Sequence, residues 1–379
     1  MNIVDMIKIP FLRPNLVRQE KFTGYLSQIE NSRLYSNYGP LNTLFENRIL
    51  QEYYKGDGGA VTVNNATSGL ILSINQSKRS GGKYALMPSF TFAATPLAAM
   101  WCGLEPYFVD VHKEDWCMNE ELVKDLLEEL GDKVAIVVPY ATFGTDINLD
   151  FYKRIHESGI PVVLDAAPSF GTLGASGFFG NNFPGLIVFS FHATKSFGIG
   201  EGGLVYSSDI NMIDQIRQLS NFGFSTNRET ISQGLNSKLS EYSAAIALAT
   251  LDAFPEKSKT RKEIYQWYLE EFKRYPNLDK CWSFQKISGE ISSQFFPVLC
   301  PKGESNVKFV KLLAQNCIEA RTYFSPACHQ QKFFSSFQRT LMSNTDDLSS
   351  RILSLPLWEE MDKKDVVEVV KNLSKGSKV

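Results

Sequence analysis

The chain has 379 residues, 43% of them hydrophobic and 21% charged, with a formal net charge of -2. That length exceeds one small core, so two domains are expected, and the composition is that of a soluble globular protein. The balanced charge, with no basic excess and no long like-charge block, argues against a nucleic-acid partner, and no apolar run is long enough to span a bilayer. Six cysteines, Cys102, Cys117, Cys281, Cys300, Cys317 and Cys328, form no CxxC pair. Neither a metal site nor a redox dithiol is expected, and the thiols read as those of a cytoplasmic protein. Met1 to Lys8 carries an acid and lacks an apolar core, which argues against a signal peptide.

Pro10 to Pro14 reads as an extended arm. Helical spacing of Phe22, Tyr25, Leu26 and Ile29 predicts an amphipathic helix over 19–33. A turn at 35–40 precedes a helix with Leu44, Phe45, Ile49 and Leu50 on one face. Residues 60–63 predict a strand that ends at Asn64-Asn65-Ala66-Thr67-Ser68, where a helix of about a dozen residues begins, Gly69 to Lys78. Free N–H groups and the positive end of a helix dipole make such a junction an anion site. An ordinary N-cap by Thr67 or Ser68 accounts for the same residues. Strands at 84–87, 105–110, 133–139 and 160–165 then alternate with helices ending at Trp101 and spanning 119–130 and 149–158. Continuous apolar strands alternating with helices predict an α/β fold with a mostly parallel sheet covered on both faces. Ligands of such sheets sit at the carboxyl ends of the strands. Thr67, Phe92, Asp165 and Ser190 all fall at those ends.

The most informative stretch runs from Leu186 to Gly203. An apolar strand ends at Ser190, Lys195 follows, and then come Gly198, Gly200, Gly202 and Gly203 before a second apolar run, 204–206. A lysine held between two buried strands can be partly desolvated and made nucleophilic, as a Schiff-base lysine must be. Alone, it reads first as a solvated surface charge, as most lysines are. Taken with its neighbours it gains meaning. A carboxylate such as Asp165 can pair with a pyridinium nitrogen, an aromatic such as Phe92 can cover a ring, and Thr67 with Ser190 can hold a phosphate. Those parts match pyridoxal 5'-phosphate (PLP). Beyond residue 250 a charged helix (261–275), a strand (293–299), a helix (306–320), a strand entering a turn (321–326) and a closing helix (362–373) predict a smaller α+β domain. The division expected is 1–250 for the large domain with its N-terminal arm and 251–379 for the small one, with Ser374 to Val379 unstructured.

Several segments together resemble the DegT/StrS family of PLP-dependent sugar-nucleotide aminotransferases. They are Asn37-Tyr-Gly-Pro40 with Phe45-Glu46, Pro88-Ser-Phe-Thr-Phe-Ala-Ala-Thr95, Leu164-Asp-Ala-Ala167 with Phe170-Gly171, and Ser190-Phe-His-Ala-Thr-Lys195 with Gly200-Glu-Gly-Gly203. Gly234-Leu-Asn-Ser-Lys-Leu-Ser240, Arg321-Thr-Tyr-Phe-Ser-Pro326 with His329, and Leu353-Ser-Leu-Pro356 complete the set, so the resemblance runs from about Ile9 to Val370. It implies PLP fold type I, aspartate-aminotransferase-like, with a mostly parallel seven-stranded sheet in the large domain. It also implies roles. Lys195 would hold the cofactor and shuttle protons, Asp165 would pair with the pyridine nitrogen, and Phe92 would lie against the ring. Ala66, Thr67 and Ser190 would contact the phosphate, and Asn236 would reach the phosphate of the other subunit's cofactor in a homodimer. Tyr38, Arg228, Lys238, Arg321 and His329 are candidates for the substrate end, and no metal is implied.

The implied reaction moves an amino group from L-glutamate, leaving 2-oxoglutarate and pyridoxamine 5'-phosphate, to a nucleotide-linked ketosugar. The short arm around Phe11 to Pro14 resembles that of members that aminate C-4, which implies a dTDP- or UDP-4-keto-6-deoxyhexose, with a 3-keto sugar as the alternative. The competing readings are a PLP-dependent sugar dehydratase, whose members carry His where this chain has Lys195, and a catalytically silent regulatory homologue. Products of this kind feed surface polysaccharides such as lipopolysaccharide O-antigen, or glycosylated metabolites. One departure stands out. Three residues after Asp165, where the family carries Gln or His near the ring hydroxyl, this chain has Pro168, with neither a side-chain donor nor an N–H. Ser169 or a water would have to substitute.

Overall fold

The computed structural model describes residues 7–377. Residues 1–6, which carry most of the amino-terminal segment read above, and 378–379 lie outside it. The central sheet is built from β1 (Gly59–Val63), β2 (Tyr84–Pro88), β3 (Glu105–Val109), β4 (Val134–Val137), β5 (Val163–Asp165), β6 (Leu186–Ser190) and β7 (Gly203–Ser207). One ladder runs β3-β2-β4 and another β5-β6-β7-β1. Parallel bridges Val137–Val162 and Tyr140–Asp165 join β4 to β5, so the two ladders make one sheet of 3 + 4 = 7 strands. The pairs β2–β3, β2–β4 and β5–β6 are parallel, while β7 runs antiparallel to both β6 and β1. This is the mostly parallel sheet expected from the alternating pattern.

Every residue of β1, β4, β5, β6 and β7 is buried, which is why these strands read as unbroken apolar runs. Helices α1 (Thr23–Ser32), α2 (Pro40–Tyr54), α3 (Ala66–Ser77), α4 (Ala94–Trp101), α5 (Glu120–Leu130), α6 (Leu149–Glu157), α7 (Ile210–Leu219) and α8 (Glu241–Lys273) cover the two faces. On one face Leu164, Ile187 and Leu204 pack with Phe45 of α2, Phe151 of α6 and Leu248 of α8. On the other, Val63, Val188 and Val205 pack with Leu70 of α3, Ala98 of α4 and Ile216 of α7.

The small domain pairs β8 (Phe296–Leu299) antiparallel with β9 (Ile352–Leu355) and adds α9 (Asn306–Gln315), α10 (Ser343–Arg351) and α11 (Lys363–Gly376). Ile9 of the arm is fully buried and bridges to Ile318 in this core. Helix α8 serves both domains: Ala244, Leu248 and Leu251 sit under the sheet, while Ile264, Tyr268 and Phe272 belong to the small core. Residue 250 therefore lies inside a helix. The charged periodicity placed its start at Arg261, yet it begins at Glu241 and passes through Pro255. Packing of both halves outweighs the ~3 kcal/mol that an interior proline costs.

Three further differences have local causes. The segment 321–326 is not a strand; Arg321 makes a single bridge to Ser354 before the chain turns. The α10 helix has no apolar stripe to betray it, since Leu348 is the one large apolar side chain it buries. The closing helix continues past Leu373 to Gly376, and Ser377 is held because its Oγ accepts from Trp282 Nε1 at 3.1 Å. Among the described residues no helix is long and apolar enough to cross a membrane.

Candidate active site

Sheet register gathers the site. Ser190, the last residue of β6, lies opposite Gly203 of β7, and Gly203 lies opposite Val63, the last residue of β1. The connection leaving β1 therefore starts α3 beside Ser190. On the other side Asp165 ends β5 and pairs with Val188, two residues before Ser190. Tyr140 bridges to Asp165 from the far side. The chain between β6 and β7 folds over this edge, closed by the bridge His192–Gly200, and Lys195 rides on it.

The start of α3 carries the anion-binding features. The helix begins at Ala66, three residues earlier than the apolar pattern suggested, and its N-cap is Asn65 rather than Thr67 or Ser68. Asn65 Oδ1 accepts from the Ser68 N–H at 2.9 Å and from Ser68 Oγ at 3.1 Å. The N–H groups of Ala66 and Thr67, in the first turn, take no acceptor among the described residues. A Cβ at Gly203 would stand 2.9 Å from the Ala66 nitrogen and 3.0 Å from the Phe189 oxygen, so the glycine keeps this approach open. Ser190 is buried, and its Oγ accepts only a long 3.4 Å bond from the His192 N–H. Two unclaimed N–H groups, a helix dipole and a hydroxyl fit a phosphate.

Asp165 is buried at 3% exposure. Thr95 Oγ1 donates to its Oδ2 at 2.6 Å and the Ala167 N–H to its Oδ1 at 3.2 Å. Thr91 Oγ1 lies 3.0 Å from Thr95 Oγ1 and continues the network. Burial pushes the Asp165 carboxyl above its ordinary range, while Thr95, the Ala167 N–H and the charge of Lys195 pull it back. Lys195 is half-buried, and desolvation brings its pKa down to about 8, with Asp165 opposing the shift. Its Nζ donates to Gln294 Oε1 at 3.3 Å, a residue of the small domain that no local motif singled out. Thr95 lay inside a quoted segment, but its bond to Asp165 spans 70 residues and shows only in the fold.

The remaining candidates fall in three places. Phe92 is 58% exposed and lines a cleft of about 890 Å³ whose opposite wall, in the small domain, includes Lys311, Arg321, Tyr323 and Phe324. Neither Lys195 nor Asp165 lines that cleft. Arg321 pairs with Glu319 at 3.1 Å and donates to the Tyr323 hydroxyl at 3.1 Å. Lys238 Nζ donates to Asn221 Oδ1 at 2.6 Å and Asn236 Oδ1 at 2.9 Å, tying an exposed loop that also carries Arg228 nearby in sequence. Desolvation lowers the Lys238 pKa.

His329 and Tyr38 are more committed. His329 is buried, with Nδ1 2.7 Å from Ser89 Oγ and Nε2 3.0 Å from Asp346 Oδ1, so both ring nitrogens are engaged. The Tyr38 hydroxyl meets Ser220 Oγ, and the Arg217 guanidinium sits 4.7 Å from its ring centroid. His192 turns outward, bonding Thr194 Oγ1 at 2.8 Å, so it braces the lysine loop. At the departure from the family pattern, Ser169 Oγ is fully buried and has no hydrogen-bond partner among the described residues.

Comparison with known proteins agrees with this architecture. Residues 17–374 match the DegT/DnrJ/EryC1/StrS aminotransferase family. A solved Bacillus cereus structure, described as a PLP-dependent aminotransferase, is 47% identical, with a TM-score of 0.95, covering 96% of this chain and 99% of that one. The structure of DesI with its TDP-sugar product is 30% identical, with a TM-score of 0.85, covering 96% and 92%. The dTDP-4-amino-4,6-dideoxy-D-glucose transaminase of Escherichia coli is 26% identical over 380 residues, covering 96% and 98%. The chain belongs to the DegT/DnrJ/EryC1/StrS aminotransferase family, and its sheet and small domain are those of PLP fold type I.

Proposed function

We propose that this member of the family transfers the amino group of L-glutamate to C-4 of a dTDP- or UDP-linked 4-keto-6-deoxyhexose, as a cytoplasmic homodimer supplying amino sugars for surface polysaccharide. The cofactor is pyridoxal 5'-phosphate. When bound, it supplies an electrophilic carbon and an electron sink. The observation that carries the reading is the pairing of a desolvated lysine with a buried, Thr95-bonded carboxylate beside a helix start with unclaimed N–H groups. The name of the Escherichia coli relative and the TDP-sugar in the DesI structure support the choice of substrate.

Each residue has a task in this scheme. Ala66, Thr67 and Ser190 bind the phosphate, and Asn236 of the second subunit completes that site. Asp165 holds a pyridinium proton, and the Thr95 hydroxyl favours its ionised state. Phe92 would cover the ring face. Lys195 Nζ takes a proton from the α-carbon of the amino donor and, in the other half of the reaction, delivers one to C-4 of the sugar. A pKa of about 8 lets the same amine exist in both protonation states near neutral pH. Arg321 from the cleft wall and Arg228 with Lys238 from the exposed loop meet the diphosphate.

The test is to incubate the protein with PLP, L-glutamate and dTDP-4-keto-6-deoxyglucose and to locate the new amine by mass spectrometry and NMR. A 4-amino product is expected. Amination of a 3-keto substrate alone would move the assignment to C-3, and no amination of any ketosugar would overturn it.

A further inference from the structure

Gln294 stands 99 residues from Lys195 in sequence and belongs to the small domain, yet its side-chain oxygen is the hydrogen-bond acceptor of Lys195 Nζ, at 3.3 Å. An ammonium offers only donors, so the amide must turn its oxygen toward it. The main chain behind Gln294 is anchored. Arg261 Nη1 donates to the Ser293 carbonyl at 2.9 Å and to the Gln294 carbonyl at 3.3 Å. Arg261 is itself buried and paired with Glu359 at 3.0 Å, and its Nη1 also reaches the Leu357 carbonyl at 3.4 Å. The next two residues, Phe295 and Phe296, are buried, so the start of β8 is held on both sides.

We propose that Gln294 is a positioning residue for Lys195: a neutral acceptor, fixed on the small domain, that aims the lysine amine whenever it is free while leaving it able to lose its proton. This role rests on the transaminase reading of the site. An ammonium has no lone pair with which to attack a carbonyl carbon, so a free lysine must be able to become neutral. A carboxylate in the same place would hold the proton, since an opposite charge within about 4 to 6 Å raises a lysine pKa. A glutamine supplies the same geometry without that charge. The charged groups around the pair are few. Asp165 acts on Lys195 from the sheet, Arg261 and Lys257 share the Glu359 carboxylate at 3.0 and 3.6 Å, and His192 points away toward Thr194 and Glu201. Burial has already brought the lysine pKa down to about 8.

The experiment reads Lys195 directly in cofactor-free protein. Competitive acetylation across a pH series, with mass spectrometry of the Lys195 peptide, gives its titration midpoint in the native chain, in Gln294→Glu and in the near-isosteric Gln294→Met. The midpoint should rise by about 1 to 3 pH units in Gln294→Glu and fall in Gln294→Met, which removes an acceptor that favours the charged form. Opposite movements separate positioning from loosening, because a site opened to water would shift both variants upward. Equal midpoints in all three proteins, or a rise in both variants, would overturn the proposal. If Gln294→Glu does not fold, the direction of Gln294→Met still decides. No cofactor or ketosugar enters the measurement, so failure of the amination test and failure of this one are distinct.

Discussion

Replacing Lys195 with methionine in cofactor-free protein should stabilise the fold, by an amount that depends on pH. Burial pushes the lysine pKa down to about 8 in the folded state against an ordinary 10.5, a difference of 10.5 - 8 = 2.5. At 1.36 kcal/mol per unit this is about 3 kcal/mol, and partial solvent contact trims it toward ~2 kcal/mol. Below pH 8 both folded and unfolded chains bind the proton, so the folded state carries the full cost of a desolvated ammonium. Between 8 and 10.5 only the unfolded chain keeps it, so native stability rises with pH through that window. Methionine is close in size and has no proton to lose. The advantage of Lys195→Met should therefore be about 2 to 3 kcal/mol near pH 7 and shrink toward pH 10. Urea denaturation of both proteins at one concentration, at the two pH values, measures it. An advantage that stays constant with pH, or a native protein that gains nothing on raising the pH relative to the variant, would refute the desolvation argument.

Thr95→Val removes a 2.6 Å bond to the Asp165 carboxylate while keeping the shape of the side chain. Hydrogen bonds to charged groups contribute about 1.5 to 3 kcal/mol, so the Asp165 pKa should rise by about 1 to 2 units and the acidic limb of the pH–rate profile should move up by the same amount. Glu241 is 1% exposed and accepts from the Leu41 N–H at 2.8 Å and the Asn42 N–H at 3.0 Å, satisfying the start of α2. Glu241→Ala leaves both donors buried and should cost about 2 to 4 kcal/mol, read as a lower Tm. Gly203→Ala places a methyl 2.9 Å from the Ala66 nitrogen, and should weaken PLP binding tenfold or more in a spectroscopic titration, with a smaller effect on folding.

What could be seen in the sequence was what the chain writes locally. Asp165 and Ser190 each end a buried strand, Lys195 follows the second of them, and the loop that carries the lysine returns to the sheet through glycines, so their common edge followed from strand polarity. The cap was missed because four polar residues, Asn64, Asn65, Thr67 and Ser68, compete for it; backbone geometry, extended at Asn65, chose among them. Gln294 was invisible because its partner lies in the other domain and nothing near it in sequence marks it. His329 looked like a turn residue bound for the substrate, but the fold buries it between Ser89 and Asp346. The unity of α8 was hidden by Pro255, a local breaker overruled by packing at both ends.

The most direct test of the whole account is the absorbance spectrum of the protein with PLP, followed by borohydride and peptide mapping. A visible band that glutamate bleaches, and a borohydride-fixed cofactor on Lys195, are expected. A folded protein that shows no band at saturating PLP, or that carries the fixed cofactor on another lysine, would contradict it.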